Sequence, residues 1–310
     1  MRIGIVGMGW VGSSVAISTL HAGIATELLL FDLRPELAEG EAMDLAHGAS
    51  FYPGARVRAI DDLALLKDAD AVVVAAGRGG RADESRLALL ADTSRIARSI
   101  GEELAGARGL LVVVSNPVDV LVRVMQEASG LPPERVIGTG TMLDTARLRR
   151  LLGARLDLAA RSIHANVIGE HGDSSVPLYA DARIGGVPLR GWPGWTAALE
   201  PEVTATLRNA AYEIIARKGA TNHAIGLVTA NLLRWMLRGE RRVLTVSRVQ
   251  EGVFGLRGVA LSLPTVVSRE GATLVQLPEM DAHERQGLAR SAEVLDEAWR
   301  ELEGGRASGG

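Results

Sequence analysis

Short apolar runs alternate with helix-like stretches along the first half of the chain. The runs that suit buried strands occupy residues 3–6, 28–31, 56–60, 71–75, 110–114 and 136–137, of which 56–60 is the weakest. Between these runs, apolar residues recur at helical spacing over 11–22, 35–47, 84–103 and 117–128. Strands that alternate with helices predict βαβ units around a parallel sheet that is buried on both faces.

The second half of the chain mixes the two kinds of element. Strand-like runs occur at 162–168, 243–246, 259–264 and 273–276, and long helical patterns occur at 201–218, 222–238 and 281–302. We therefore predict an α/β fold with a doubly wound parallel sheet in residues 1–140 and an α+β domain in residues 141–303. The last residues, 304–310, are rich in glycine, and we expect them to form a disordered tail.

Composition narrows the class of protein. The 310 residues are 47% apolar, as in a globular protein with a full core, and the net charge of −3 favours neither nucleic acid nor an anionic membrane as a partner. The absence of cysteine excludes disulfides, thiolate metal sites and cysteine nucleophiles, and we predict no metal site. No apolar run reaches the roughly 18 residues of a membrane span, and the chain opens on a strand rather than a signal peptide. We expect a soluble, cytoplasmic protein.

A glycine motif follows the first predicted strand and opens the first predicted helix. Gly7, Gly9 and Gly12 form the pattern G-x-G-x-x-G, in which the first glycine makes a tight turn. The second glycine lets a pyrophosphate approach the backbone at the positive end of the helix, and the third allows close packing of helix on strand. Asp32 ends the second strand, where a carboxylate accepts hydrogen bonds from a ribose 2′-hydroxyl and repels a 2′-phosphate. These residues predict a Rossmann domain that binds NAD rather than NADP; a glycine-rich turn without a ligand is the alternative.

A single histidine stands between glycines and acids in the second half. His171 lies in the segment Gly-Glu-His-Gly-Asp at 169–173, directly after a strand-like run. A buried, oriented histidine can exchange a proton near neutral pH, and flanking glycines permit close approach of a substrate. Taken alone, the segment is also compatible with a histidine that is merely packed or solvated.

Further motifs occur in a fixed order. They are Gly77 after the fourth strand, Glu-Ser-Arg-Leu at 84–87, Ser-Asn-Pro-Val-Asp at 115–119, Gly-Thr-Gly-Thr-Met-Leu-Asp-Thr-Ala-Arg at 138–147 and the segment at 169–173. Together with the glycine motif they resemble the lactate/malate dehydrogenase family, from residue 1 to about residue 302. The resemblance implies NAD-dependent hydride transfer to and from a small 2-oxo or 2-hydroxy acid.

The residues themselves suit this chemistry. Reduction of a 2-oxo acid needs a hydride for the ketone carbon, a proton for its oxygen and an anchor for the carboxylate. His171 can supply the proton, and Asp144 can fix its tautomer and favour its charged form. Arg147 lies three residues after Asp144, on the same helical face, and its planar fork suits a carboxylate. The resemblance implies the same three roles.

Other site residues come from the resemblance. It implies that Arg86, on a segment that closes over substrate, polarises the ketone oxygen; a solvated helix arginine is the alternative. Asn116 follows the fifth strand and is expected to contact both nicotinamide and substrate. Thr221 matches a substrate-pocket position, although it also suits a helix N-cap. The additional positions that match cofactor contacts are Val11, Gly77, Ser99, Ser115 and Thr139.

One position departs from the family's pattern. Gly80 stands six residues before Arg86, where lactate enzymes resemble one another in glutamine and malate enzymes in arginine. The neighbouring Arg81 could bind a second carboxylate. The segments at 138–147 and 169–175 resemble lactate enzymes more than malate enzymes. We therefore predict a glycolytic L-lactate dehydrogenase acting on pyruvate, with malate dehydrogenase or a broad-specificity 2-hydroxy acid dehydrogenase as the alternatives.

The resemblance also bears on assembly and regulation. Arg149 and His164 match positions at which bacterial lactate dehydrogenases bind fructose 1,6-bisphosphate across a subunit interface, although each also suits an ordinary surface or strand position. A homotetramer is implied, with a homodimer as the alternative. NAD-dependent glycosidases and a non-enzymatic NAD-binding regulator are competing hypotheses. The glycosidases resemble one another in a longer chain and in a metal site that often uses cysteine, neither of which appears here. A regulator gives no reason for Asp144, Arg147 and His171 to occur together.

Overall fold

The structure is a computed structural model that describes the backbone of residues 1–78 and 86–307 and the side chains of residues 1–78 and 88–304. Six strands form a parallel sheet in the order β3-β2-β1-β4-β5-β6. They are β1 (Arg2–Val6), β2 (Glu27–Phe31), β3 (Arg56–Ala59), β4 (Ala71–Val74), β5 (Leu110–Val113) and β6 (Val136–Gly138). The strand order reverses between β1 and β4, which is where sheets of this kind bind ligands.

Helices cover both faces of this sheet, and the strand sequences explain why. Alternate residues of β4 enter different cores: Val72 and Val74 join one cluster, whereas Ala71 and Val73 join the other. A strand that is buried on both faces must be apolar at successive positions, as β4 is. The covering helices of the first half are α1 (Trp10–His21), α2 (Pro35–His47), α3 (Arg86–Glu103) and α4 (Val118–Ser129).

The second half forms a smaller sheet and also extends the first one. The smaller antiparallel sheet contains β7 (Ile163–Ile168), β8 (Val176–Ile184) and β9 (Val187–Pro188). The strands β10 (Arg242–Glu251), β11 (Arg257–Ser268) and β12 (Gly271–Val275) continue the large sheet antiparallel beyond β6, through the pair Ser247–Gly138. The remaining helices are α5 (Met142–Leu156), α6 (Glu200–Lys218), α7 (His223–Leu237) and α8 (Ala282–Ala307).

The predicted fold class is confirmed, and the structure differs from the predicted elements in several details. The strands β10 to β12 were expected within a separate domain, yet they join the parallel sheet. The strand β8 was not predicted, because Pro177, Asp181 and Arg183 interrupt its apolar pattern. The helix α8 passes the buried Leu302 and continues to Ala307, which corrects the expected start of the disordered tail at residue 304; residues 308–310 lie outside the described part. Within the described residues, none of the helices has the length and apolar character that crossing a membrane requires.

Candidate active site

The glycine turn between β1 and α1 has the geometry that its sequence predicts. Gly7 has a φ of +94°, and a Cβ there would lie 2.6 Å from the backbone of Ala76. A Cβ at Gly12 would lie 1.9 Å from the carbonyl oxygen of Gly7, so α1 packs on β1 at a distance that only glycine permits. At Gly9, by contrast, a Cβ would meet no described atom within 4 Å. The backbone at the start of α1 is therefore open on the side where a phosphate would bind.

A cavity of about 570 Å³ opens over this turn. The predicted cofactor residues that line it are Gly7, Gly9, Asp32, Gly77 and Ser99. Asp32 is oriented by two backbone N–H donors, from Met8 at 2.8 Å to Oδ2 and from Arg34 at 3.0 Å to Oδ1. Apolar side chains form the other walls, among them Phe31 and Ile96. An open glycine turn, a fixed carboxylate and apolar walls together fit a dinucleotide.

The other predicted cofactor residues lie at neighbouring element ends. Ser115, after β5, donates its hydroxyl to the carbonyl of Ala76 at 2.6 Å and so ties β5 to the segment that leads into Gly77. Thr139 is buried after β6, and its N–H donates to Val113 at 3.1 Å. Val11 is half-buried in the first turn of α1, and Asn116 is exposed at the carboxyl end of the sheet. Their predicted contacts with the cofactor stay predictions.

Three of the predicted site residues are joined by one carboxylate: His171 and Arg147 both contact Asp144. Nδ1 of His171 lies 2.6 Å from Oδ2 of Asp144, and Nη1 of Arg147 donates to Oδ1 of Asp144 at 2.9 Å. All three side chains are largely shielded from solvent. Asp144 therefore holds both the histidine and the arginine, as the spacing of the two motifs predicts.

Hydroxyl groups attach the helix that carries Asp144 to the strand that precedes His171. Thr141, just before α5, donates its hydroxyl to the carbonyl of Val167 on β7 at 2.5 Å. Thr145, one turn later, accepts the N–H of Val167 at 2.9 Å. The backbone N–H of Thr141 also donates to Oγ of Ser262 on β11 at 3.0 Å. These bonds fix α5 against β7, so that Asp144 faces the loop after β7.

The loop that carries His171 is held from three directions. Gly169 exchanges two backbone hydrogen bonds with Ser262, at 2.9 and 3.0 Å. Ser291 on α8 accepts the N–H of Glu170 at 3.2 Å and donates to the carbonyl of Ser174 at 2.6 Å.

The third direction is the start of α4, where Asp119 accepts the N–H of His171 at 2.7 Å. No role is predicted from the sequence for Asp119, Ser262 or Ser291. Asp119 belongs to the motif Ser-Asn-Pro-Val-Asp at 115–119, whereas neither serine lies in a sequence motif that would indicate its role.

The electrostatics of the cluster favour a charged imidazole. Burial works against charge on His171, but the hydrogen bond and the negative charge of Asp144 outweigh it, so the pKa of His171 lies above its ordinary value. Burial also works against charge on Asp144, yet His171 and Arg147 together lower the pKa of its carboxyl. The pair is therefore suited to hold a proton at neutral pH and to release it to a bound oxygen.

Several predicted substrate residues fall outside what the structure describes. Gly80 and Arg81 lie in the segment 79–85, and only the backbone of Arg86 is described, at the first position of α3. Thr221 precedes α7, but the N-cap of that helix is Asn222, so the alternative role of Thr221 as an N-cap is wrong.

One candidate effector residue, Arg149, contacts the two residues that follow the other, His164, on β7. The guanidinium of Arg149 is half-buried and donates to the carbonyl of Ala165 at 2.9 Å and to the side chain of Asn166 at 3.2 Å. His164, on β7 next to Ala165, is exposed. Among the side chains that the structure describes, those of residues 1–78 and 88–304, no group of three or more histidines, aspartates and glutamates could hold a metal ion.

Comparisons with known proteins agree along nearly the whole chain. The family model for the lactate/malate dehydrogenase NAD binding domain matches residues 1–138, and that for the alpha/beta C-terminal domain matches residues 141–303. The L-lactate dehydrogenase of Kosmotoga olearia is 40% identical over 307 residues, which cover 96% of this chain and 95% of the relative. That of Geobacillus thermodenitrificans is 42% identical over 300 residues, 95% of each chain. The solved structure of a minor L-lactate dehydrogenase from Enterococcus mundtii superposes with a TM-score of 0.93 at 34% identity and covers 97% of both chains.

Proposed function

The chain belongs to the lactate/malate dehydrogenase family, and we propose that it interconverts pyruvate and L-lactate as an NAD-dependent L-lactate dehydrogenase. The observation that carries the proposal is the shared carboxylate of Asp144, which holds a proton donor, His171, beside a carboxylate anchor, Arg147. The names of the relatives support lactate rather than malate as the substrate. A place in glycolysis and in the cytoplasm is part of the same proposal.

Different residues are proposed to bind the cofactor and to transfer the proton. NAD supplies the hydride acceptor for lactate oxidation and, in its reduced form, the hydride donor for pyruvate reduction. Gly7, Gly9 and Asp32 would hold it in the cavity over the glycine turn. During reduction, the protonated His171 donates its proton to the ketone oxygen as the ketone carbon receives the hydride. During oxidation, the neutral imidazole takes the hydroxyl proton back, and Asp144 stabilises the resulting imidazolium.

Arg147 is suited to anchor the substrate carboxylate. Asp144 takes only its Nη1 nitrogen, and among the described residues Nε and Nη2 have no hydrogen-bond partner. Two parallel N–H groups of a guanidinium match the two oxygens of a carboxylate. We place Arg86 on the ketone oxygen, Asn116 on nicotinamide and substrate, and Thr221 at the substrate pocket, each on the family's pattern.

The substrate is tested by comparing kcat/KM for pyruvate, oxaloacetate and 2-oxobutyrate at one pH and saturating NADH. We expect the highest value with pyruvate, with 2-oxobutyrate accepted because Gly80 leaves room for a longer side chain. The matched variant is Arg81→Ala. It removes the arginine next to Gly80 that could bind the second carboxylate of oxaloacetate. A strong preference for oxaloacetate that disappears in this variant would overturn the assignment to lactate.

We further propose a homotetramer whose activity responds to fructose 1,6-bisphosphate. The support for assembly is an exposed apolar face on α1, α7 and the turn after α2, formed by Trp10, Ile17, Phe51 and Leu227. Phe51 is 84% exposed and Leu227 59% exposed, values that favour burial against a second copy. The support for the effector is that Arg149 contacts β7 directly after His164, so that two basic residue types lie on the same part of this strand. A homodimer without a response to the sugar bisphosphate is the alternative.

A further inference from the structure

A second cavity lies between β8, α6 and α8, apart from the cavity over the glycine turn. Its volume is about 520 Å³, which is within the range of small-molecule sites. None of the residues that line it lines the cofactor cavity, and none belongs to the group formed by His171, Asp144 and Arg147. The proposed function therefore gives this α6–α8 cavity no ligand.

Three carboxylates line the α6–α8 cavity, and protein donors already bind all of them. Arg190 donates to the two oxygens of Glu200, at 2.8 Å each, and to Oδ2 of Asp281 at 2.9 Å. Oδ1 of Asp281 accepts the backbone N–H of Glu284 at 3.0 Å. The buried carboxylate of Glu284 accepts two backbone N–H groups of β8 on one oxygen and that of Asp281 on the other. A cationic ligand would have to displace these donors.

Arg208 on α6 is different, because it forms no ion pair with a carboxylate of the described residues. Its Nη2 donates to the carbonyl of Ser175, on the loop after β7, at 2.7 Å. Within the described part of the chain, neither Nε nor Nη1 of Arg208 has a hydrogen-bond partner. The side chain lines the cavity and is exposed, so a ligand can reach it from solvent. A guanidinium that is held in this way suits the carboxylate of a ligand.

The remaining walls favour a ligand with an apolar body and a single charge. Buried apolar side chains of β8 form one wall, and small side chains in or just before α6 form another; they are Val176, Pro177, Ala197, Pro201 and Ala205. A second negative charge on the ligand would lose water against these side chains and would be repelled by the three carboxylates. The cavity therefore does not suit a sugar bisphosphate or a dicarboxylate.

We propose that the α6–α8 cavity is a binding site for a monocarboxylate with a short apolar chain. The carboxylate group binds Arg208, and the chain lies against Val176, Pro177 and Ala205. The site is separate from the substrate pocket, in which Arg147 is the anchor for a carboxylate. The inference thus goes beyond the proposed function and does not depend on it.

The test compares four ligands by isothermal titration calorimetry with the full-length protein. Hexanoate should bind with a Kd at least about tenfold lower than acetate, because its longer chain leaves water. It should also bind at least about tenfold more tightly than hexanol, which has no charge for Arg208. Adipate has the same chain length but a second carboxylate, and we expect it to bind more weakly than hexanoate. Adipate or acetate that binds as tightly as hexanoate would show that the assigned ligand class is wrong.

Arg208→Gln removes the charge and should raise the Kd of hexanoate at least about tenfold. The matched control is Arg217→Gln on the same helix, since Arg217 is exposed, pairs with Glu213 and does not line the cavity. We expect the control to bind hexanoate as the wild type does. If circular dichroism shows that Arg208→Gln does not fold, Ala205→Phe takes its place. Ala205 is exposed on α6, so the larger side chain should fill the cavity and abolish binding without disturbing the core.

A third variant separates the two places at which an arginine is offered to a carboxylate. In Arg147→Gln we expect the Kd of hexanoate to be unchanged. Loss of binding in Arg147→Gln, with binding kept in Arg208→Gln, would place hexanoate in the substrate pocket and overturn the inference. A wild type that does not bind hexanoate would overturn it as well. The proposed function fails by a different measurement, the turnover of pyruvate, which the calorimetry does not use.

Discussion

Asp144 receives two cationic partners in a place where water is largely excluded. Oδ2 faces the imidazole of His171, and Oδ1 accepts from the guanidinium of Arg147. The two partners oppose each other at His171: Asp144 raises the pKa of the imidazole, whereas the positive charge of Arg147 lowers it. Removal of the single carboxylate charge would leave two cations that repel, so the protonation of His171 depends on Asp144 more than on any other residue.

We predict that Asp144→Asn lowers the pKa of His171 and slows pyruvate reduction. Reduction requires the protonated imidazole, so its rate falls as pH rises through the pKa of His171, and the variant moves this fall to lower pH. Oxidation of lactate requires the neutral imidazole, and its rise with pH should move the same way. At pH 7 we expect kcat/KM for pyruvate to drop by about 100-fold or more, as measured from pH–rate profiles in both directions.

The control for this variant is Asp173→Asn. Asp173 lies on the same loop, but it is exposed and accepts the hydroxyl of Tyr212, so solvent screens its charge. We expect the pKa of His171 in this variant to stay at the wild-type value. Equal pKa shifts in the two variants would contradict a specific role for Asp144.

At the scale of elements, the sequence predicts those features that depend only on residues close together in the chain. The spacing of Gly7, Gly9 and Gly12 predicts a strand, a turn and a helix, because each glycine meets a steric demand within that one turn. The i,i+3 spacing of Asp144 and Arg147 likewise places both on one face of α5. Such contacts lie within reach of one helical turn.

Contacts between distant segments could not be predicted in this way. Ser262 and Ser291 hold the His171 loop from β11 and α8, and nothing in their own surroundings in the sequence indicates it. The continuation of the parallel sheet by β10 depends on the pair Ser247–Gly138, which also joins distant parts of the chain. The apolar pattern of β10 indicates that it is a strand but not which strand it pairs with.

Two neighbouring glycine variants should separate binding from folding at the start of α1. In Gly9→Ala the new Cβ enters open space, so we expect a stability loss below about 1 kcal/mol and an NADH Kd at least about tenfold higher. In Gly12→Ala the Cβ would collide with the Gly7 carbonyl, and we expect a loss of about 2 kcal/mol or more. Thermal unfolding and NADH fluorescence measure the two effects. Equal destabilisation of both variants would show that Gly9 is a folding residue.

At the scale of the molecule, the two halves of the chain share one sheet and pack closely against each other. The strands β10 to β12 complete the sheet that β1 to β6 begin. In addition, helix α7 of the second half lies so close to helix α1 of the first half that a Cβ at Gly226 would be 2.6 Å from the carbonyl oxygen of Ser14. This close pair presents Trp10, Ile17 and Leu227 to solvent. The residues that unite the halves thus also create the apolar face on which assembly is proposed.

We predict that the protein sediments as a tetramer and that Leu227→Glu shifts it to smaller species. A buried leucine contributes about 1.5–3 kcal/mol, and a carboxylate placed in an apolar interface adds a desolvation cost. Leu274→Glu is the control, because Leu274 is similarly exposed, at 55%, but lies on β12, the edge strand of the large sheet, and not on α1, α7 or the turn after α2. Loss of assembly in the control as well would indicate general destabilisation rather than a specific interface.

The same sedimentation experiment, repeated with fructose 1,6-bisphosphate, tests whether assembly and regulation are linked. A ligand that bridges two subunits must favour the associated state by its binding free energy, so it should return Leu227→Glu toward the tetramer and lower the apparent KM for pyruvate. Because Arg149 already donates to Ala165 and Asn166, the exposed His164 is the side chain whose loss should matter most. His164→Ala should abolish the response to the sugar while leaving the tetramer intact; no response of the wild type at any pH would refute the effector site.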